Sequence, residues 1–418
     1  MRSNTRSADM RSKDQRQRPE TMRTVSVSDF EGLAPHLAAW DDLAWHAPQR
    51  IPNLLPAWID AYLRHRLGPN ESWICCFAYL GDRLVGALPL VVTPHPVFGR
   101  ARPVLYTPYD ALTPSGDIVL SADHATLALN ALLGEVRRQL PHHLGVDFKA
   151  VRQSSALWDA LQSGVDGYVL REGFCPKYSS LAVDGDAEAY FAELKKLRSN
   201  LRRFRKKLDG RGTVTVELLR GEDATEAFLP EFIALEASGW KGRNGTSIAD
   251  NPRVVAFYET LVTNFARQGR WEWHTIRVDG RLIAAQMGAR CGSGLMLPKY
   301  SFDEDFAEFR PGSLLTGEVL RDAFARGEID EVNPMSDGEA HRTWHMQPEG
   351  YLNAHLVRRG PVAAVLQLPR IEAWSFYQNV VRPRIPPGLK AAYQKFRRRG
   401  ERKPRRAATS RLSTNDAA

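Results

Sequence analysis

A chain of 418 residues, 43% apolar and 25% charged, has room for two domains with cores of their own and is too apolar to be disordered throughout. No apolar run approaches the length of a membrane span, and Met1-Arg2-Ser3-Asn4-Thr5-Arg6 opens into polar sequence without a signal-peptide core, so the expected location is cytoplasmic. The net charge of +9 sits at the ends: residues 1–23 hold seven Lys/Arg against three Asp/Glu, residues 382–418 hold twelve against two, and residues 24–381 are left at −5.

In chain order, residues 1–22 form a basic tail predicted to be disordered. Leu33–Trp45 and Leu54–Leu67 carry apolar residues at helical spacing. Trp73 to Val92 reads as a hairpin turning at Gly81-Asp82, and Asp123–Leu140 as a helix before a strand at Val146–Arg152. After residues 195–207, where eight of thirteen residues are basic and none is acidic, Thr213–Leu219 reads as a strand. Leu194, Leu197, Leu201, Phe204 and Leu208 recur three or four residues apart, so that basic run is predicted to be a helix with one packed face. Thr225–Ser238 and Pro252–Gln268 read as helices. The run from Trp271 through Asp279-Gly280 to Ala289 is a second hairpin, because alternation flanking Asp-Gly selects a tight turn. A third strand follows from Gly294 to Phe302, then Arg310-Pro311-Gly312-Ser313 opens a helix from Leu314 to Arg326, and Ile329–Val332 is one more strand.

The two hairpins align without gaps, Trp73, Arg83, Leu84 and Ala87 falling opposite Trp271, Arg281, Leu282 and Ala285. The same order of elements around both points to a duplication. The predicted fold is α/β in the mixed α+β sense: two domains, each a mixed, largely antiparallel sheet flanked by helices. The boundaries read as 23–184 for the first lobe, 185–360 for the second, 361–381 for a terminal helix and 382–418 for a basic tail. Cys75, Cys76, Cys175 and Cys291 show no ligand spacing, so buried idle thiols and no metal are expected.

Hairpin, strand, loop and helix in the order of residues 271–326 resemble the GNAT N-acetyltransferases. Lys299-Tyr300-Ser301-Phe302-Asp303, Arg310-Pro311-Gly312-Ser313-Leu314-Leu315, Trp240-Lys241-Gly242, and Asp337-Gly338-Glu339 with Trp344 resemble the CelD-like branch, first described around cellulose biosynthesis. Tandem GNAT folds are known from that branch and from the related FemAB-like proteins. The resemblance spans residues 178–347. It implies an acyltransferase that takes acetyl-CoA or another acyl-CoA as co-substrate and a small-molecule or glycan-precursor acceptor with an amine or sugar hydroxyl, in an envelope or exopolysaccharide setting. The alternatives are a FemAB-like aminoacyltransferase using aminoacyl-tRNA, and a non-catalytic interaction protein of the same fold. The basic C-terminal tail suits a peripheral anionic membrane; nucleic acid is not the expected partner.

Acyl transfer from an activated donor needs a base, oxyanion stabilisation and positioning. Arg310, Gly312 and Ser313, with the backbone of Leu314 and Leu315, are the expected donor-phosphate site, since a helix N-terminus attracts phosphate. Pro311 cannot donate, and the loop has fewer glycines than is usual in GNAT proteins. Glu236 is a candidate base if its carboxyl is raised beside Trp240; Asp337 and His341 are the other candidates. Tyr300 is placed to protonate a leaving thiolate. Trp240, Lys241, Lys299, Asp303 and Trp344 are expected around the acceptor. The first lobe, where Thr107–Asp117 replaces the Pro-Gly-Ser helix entry, is read as degenerate.

Overall fold

The structure, a computed structural model, describes residues 21–174, 178–336 and 338–386. It divides into a unit of residues 1–368 and one of residues 369–418. The first unit holds two sheets. Their strands, in chain order, are β1 (Met22–Val27), β2 (Ser72–Leu80), β3 (Arg83–His95), β4 (Gly99–Tyr106), β5 (Val119–Leu120), β6 (Gly145–Arg152), β7 (Tyr168–Gly173), β8 (Tyr178–Ala182), β9 (Val214–Arg220), β10 (Trp271–Val278), β11 (Arg281–Cys291), β12 (Gly294–Phe302), β13 (Glu331–Asn333), β14 (Gln347–Glu349) and β15 (Tyr351–Arg358).

The first sheet runs β1-β2-β3-β4-β6-β15-β7, with β5 on β3, and the second, read from its other end, runs β9-β10-β11-β12-β13-β8-β14. Position for position the two agree. Each has a parallel pair, β4 with β6 and β12 with β13, in an otherwise antiparallel sheet. Each hairpin also carries a register shift, at Ala78/Tyr79 and at Ile276/Arg277, which the ungapped alignment of the two hairpins superposes. The turn at Asp279-Gly280 has positive φ at both residues (48° and 83°), the conformation that a two-residue hairpin loop requires.

The sixth position of each sheet is exchanged. β15 comes from the far end of the chain and pairs with β6 and β7 of the first lobe. β8, next after β7 in the chain, pairs with β13 and β14 of the second. The boundaries read from the sequence are therefore corrected: 178–182 belongs to the second sheet and 351–358 to the first. Linear boundaries cannot express a strand that crosses over.

The expected helices form at Leu37–Trp45, Pro56–His65, Ala125–Gln139, Leu229–Ser238 and Pro252–Arg267, and the basic run forms one helix, Lys195–Asp209. The helix after β12 starts at Pro311, three residues before the expected Leu314, since proline suits a first helical turn. Among the described residues no helix is long and apolar enough to cross a membrane. Cys75, Cys76 and Cys291 are buried and free; Cys175 lies outside the described residues.

The lobes share one core. Trp58 of helix Pro56–His65 meets Phe265 of helix Pro252–Arg267 edge-on at 5.9 Å, Phe265 meets Trp271 at 6.1 Å, and Trp271 meets Trp273 at 5.5 Å. His65 and Thr260 bond across the same seam at 2.8 Å. A second tie is ionic. The buried guanidinium of Arg152, at the end of β6, donates to Glu349 on β14 at 2.9 Å, to Glu331 on β13 at 2.9 Å and to the carbonyl of Gln49 at 3.0 Å.

Removing one partner of a buried ion pair leaves the other charge uncompensated. Arg152→Met strands two carboxylates and is expected to lower stability by about 3–5 kcal/mol, measured by urea unfolding; a loss within error of zero would show that the cluster does not hold the lobes.

Candidate donor and acceptor site

The second lobe contains an opening that the first lobe lacks. β12 pairs with β13 only through Gly294, Leu295 and Met296, and among the described residues its remainder, Leu297–Phe302, has no strand on that side. A register shift against β11 between Met287 and Ala289 bends β12 at the same point. In the first lobe the corresponding pair, β4 and β6, also separates early, after Tyr106–Asp147. There the gap is filled by the loop after β4. Gly116 N–H donates to the carbonyl of Lys149 at 2.7 Å, the Ser115 hydroxyl to that of Ala150 at 2.9 Å, and the Thr107 hydroxyl to that of Gly116 at 2.6 Å. A Cβ on Gly116 would lie 2.5 Å from Thr107 Oγ1, so the loop needs glycine to lie this close to β6.

Helix Pro311–Arg326 begins beside the open gap. Arg310 caps it in the left-handed conformation (φ 52°), exposed and without an ion-pair partner among the described residues. The ring of Tyr300, which is 56% exposed, lies alongside Gly312, where an added Cβ would meet it at 3.5 Å. The structure thus brings together Arg310, Gly312 and Tyr300.

It does not bring the rest of the expected donor site with them. Ser313 and Leu314 already give their N–H groups to the carbonyl of Arg310, at 3.0 and 3.1 Å. Pro311 has none, so among the described residues Gly312 carries the first-turn N–H left without a carbonyl. Leu314 and Leu315 are core residues of the second lobe. The expectation that their backbone receives phosphate is corrected: a helix that closes its first turn on its own cap has few donors to offer.

On the other face of β12, Lys299 points away from Tyr300, as successive strand residues must. Its Nζ lies 3.0 Å from Oε1 of Glu236, and Lys241 Nζ reaches the same oxygen at 2.8 Å. Oε2 accepts the N–H of Ile248 at 2.7 Å. Glu236 is fully buried at the end of helix Leu229–Ser238. Burial alone pushes its carboxyl up, but the charge of Lys299 and the hydrogen bonds of Lys241 and Ile248 outweigh it and hold the group below its ordinary range. The expected upward shift is therefore corrected: Trp240 is exposed and gives its backbone N–H to Glu304, so it forms no apolar wall over Glu236. Lys299 is lowered as well, which for an amine favours the neutral form. Burial and the neighbouring ammonium of Lys241 lower it, and Glu236 only partly restores it. Its ammonium also lies 5.4 Å from the ring centre of buried Tyr258.

Asp303 pairs with Arg281 and caps the turn after β12 by accepting from Asp305 N–H at 3.0 Å. It lines a cavity of about 430 Å³ whose other charged walls are Glu231, Glu304, Asp305, Arg243 and Arg281. Trp344, expected near the acceptor, is buried in the second-lobe core, beside Gly317, with its carbonyl accepting from Tyr190 at 2.7 Å; this too is a correction, since an indole that fills a core cannot face a substrate. His341 stands half-buried in the short helix Glu339–Thr343. Asp337 lies outside the described residues.

The basic helix lies antiparallel to helix Pro311–Arg326: Leu201 meets Gly317, while Arg211, just past its C-terminal end, stands over Phe309, next to Arg310. Arg198 and Arg205 are paired with Glu188 and Asp209. Lys195, Lys196, Arg202, Arg203, Lys206 and Lys207 are exposed and form no ion pair among the described residues. Also among the described residues, no group of His, Cys, Asp or Glu could hold a metal ion.

These features coincide with what comparison finds. Residues 195–342 match the family described as Acetyltransferase (GNAT) domain. The crystal structure of FemX is similar in fold, with a TM-score of 0.55 at 12% identity over 79% of this chain and 98% of that one. Two further structures are a C-terminal domain (DUF2156) of a putative lysylphosphatidylglycerol synthetase from Agrobacterium fabrum and a tandem GNAT protein from the clavulanic acid biosynthesis pathway. Their TM-scores are 0.47 and 0.43, at 11% and 14% identity, over 81% and 82% of this chain and 96% and 99% of theirs. No curated protein matches the chain. The matched segment of the second lobe is a GNAT-type acetyltransferase domain, and the first lobe repeats its strand order, a tandem GNAT-like fold. GNAT domains in general imply an acyl-CoA-type donor.

If Glu236 is what keeps Lys299 protonated, Glu236→Gln lowers the Lys299 pKa further. Lys299 should then react with an acylating reagent at lower pH than in the unaltered protein, read by peptide mass spectrometry across a pH series; an unchanged profile would remove Glu236 from that role.

Proposed function

We propose that this acyltransferase takes its acyl group from a donor carrying many phosphates along its length, an aminoacyl-tRNA, and passes it to an amine on an acceptor lying between the lobes. One observation carries this reading. Among the described residues, the helix entry offers a single free first-turn N–H, at Gly312, whereas the neighbouring basic helix offers six exposed cations without an ion pair, with Arg310 and Arg211 at its end. A diphosphate is gripped by converging backbone donors; a polynucleotide is gripped by spaced cations. The entry therefore fits the pyrophosphate of acyl-CoA poorly. The likeness to FemX in fold agrees with this donor.

In this reading the gap beside β12 receives the acyl end, with Tyr300 on the donor face and Lys299 on the acceptor face. Lys299, its proton held mainly by Glu236, is poised to exchange one with the attacking amine. The charge of Lys299 and the hydrogen bond from Lys241 together keep Glu236 ionised. The filled first-lobe gap leaves that lobe to shape the acceptor cleft. The CelD-like motifs would place the acceptor in envelope or exopolysaccharide synthesis.

The second reading, with acyl-CoA as donor, has Arg310 and Gly312 in its favour. Filter binding of tRNA over a salt series separates the two. Aminoacyl-tRNA transfer predicts that log K falls with log salt by about 0.7–0.9 for each phosphate contacted. Replacing Lys206 and Lys207 with alanine should then weaken binding about tenfold and reduce that slope by one to two. Micromolar binding of acetyl-CoA, abolished by Gly312→Trp and Arg310→Ala, with no salt-dependent tRNA binding, would establish acyl-CoA instead.

A further inference from the structure

The segment from Pro369 to Arg384, in the unit of residues 369–418, is helical for almost its whole length, yet it buries only Ile371 and Gln378 deeply among its described side chains. What it exposes is unusual for a surface helix. Trp374 is 53% exposed, Phe376 60%, Tyr377 39% and Val381 38%. The rings of Trp374 and Tyr377 lie 5.7 Å apart, so they present one continuous aromatic surface. Arg370, Arg382 and Arg384 flank this surface, all exposed. Arg382 bonds to the side chain of Gln378, and Arg384 to the carbonyl of Val380. Glu372 is the one acid in the segment.

We propose that this segment is an interfacial anchor that lays its aromatic side chains into the headgroup region of an anionic bilayer. Trp and Tyr, each with an apolar body and a polar tip, favour that depth, and Phe376 and Val381 add purely apolar surface. A helix with aromatics beside arginines lies in the interface plane instead of crossing it, which agrees with the absence of a spanning helix among the described residues. Charge selects the lipid: from Arg382 onward the sequence has twelve Lys/Arg against two Asp/Glu, and basic residues beside an inserted helix draw it to anionic headgroups. A nucleic acid would use the cations but would leave Phe376 and Val381 in water. The anchor does not depend on which donor the basic helix at Lys195–Asp209 holds.

The test is sedimentation of the full chain with vesicles of phosphatidylcholine alone or mixed with phosphatidylglycerol. Binding is expected only to the anionic vesicles, falling about tenfold or more in the Trp374→Ala/Phe376→Ala variant. Both side chains are exposed, so this variant keeps the fold, and its circular dichroism should match the parent. In addition, brominated lipid should quench part of the tryptophan emission, and that part should vanish in Trp374→Phe while binding is retained. Equal binding by the double variant, equal binding to neutral vesicles, or no vesicle binding with tRNA binding that depends on Trp374 and Phe376 would each overturn the proposal.

Discussion

The guanidinium of Arg152 is where the two lobes are locked to one another. It projects from the end of β6 in the first sheet, yet its carboxylate partners come from β13 and β14 of the second. Burying a cation costs several kcal/mol, and the cost is offset only when every donor finds an acceptor in good geometry. That geometry exists because the chain crosses between the sheets immediately after β14, from Glu349 through Gly350 to β15. The ion cluster and the exchanged strands therefore enforce each other. With the lobes fixed in this way, Trp58, Phe265 and Trp271 close one core across the seam, and Lys299 and Tyr258 face each other beside it.

Within that frame the two lobes illustrate how one architecture is kept open or shut. Both sheets lose their parallel pairing after a few residues. In the first, Ser115 and Gly116 run into the separation, and the Ser115 hydroxyl and the Gly116 N–H satisfy carbonyls of β6. In the second, the space is left beside a helix N-terminus. Unpaired strand edges are costly when buried, so an opening of this kind survives only where a ligand or solvent can reach it. The difference between a filled and an open lobe is written in a short loop, and the sheets themselves hardly change.

Much of this was legible in the residues. The two hairpins were, because turn chemistry at Gly81-Asp82 and Asp279-Gly280 and the alternation around them are local signals. The helices with one apolar face were, for the same reason. The exchange of β8 and β15 was not: strand pairing across hundreds of residues leaves no periodicity to read. The surroundings of the candidate site residues were not legible. Lys299 is far in sequence from Glu236 and Lys241, and only folding shows that two ammonium groups share one carboxylate oxygen. That arrangement sets the direction of the Glu236 shift, which one neighbouring tryptophan could not reveal. Trp344 shows the opposite difficulty: an indole in a polar stretch looks like a ligand contact, but burial is decided by what packs on it.

The strand exchange also constrains how the molecule is made. Synthesis proceeds from the N-terminus, and domains ordinarily fold as units while the chain is still emerging. Here the first lobe cannot complete its sheet until residues 351–358 have left the ribosome, because β15 must slot between β6 and β7. Through the synthesis of the whole second lobe, the facing edges of β6 and β7 wait unpaired, the kind of edge that recruits strands from other chains. By the same logic, a fragment cut to the matched acetyltransferase segment, residues 195–342, lacks β8 and leaves an open edge on β13. Neither lobe is a module that gene fusion or truncation can carry away intact. The two lobes look separable along the sequence, yet the exchanged strands make them fold as one piece.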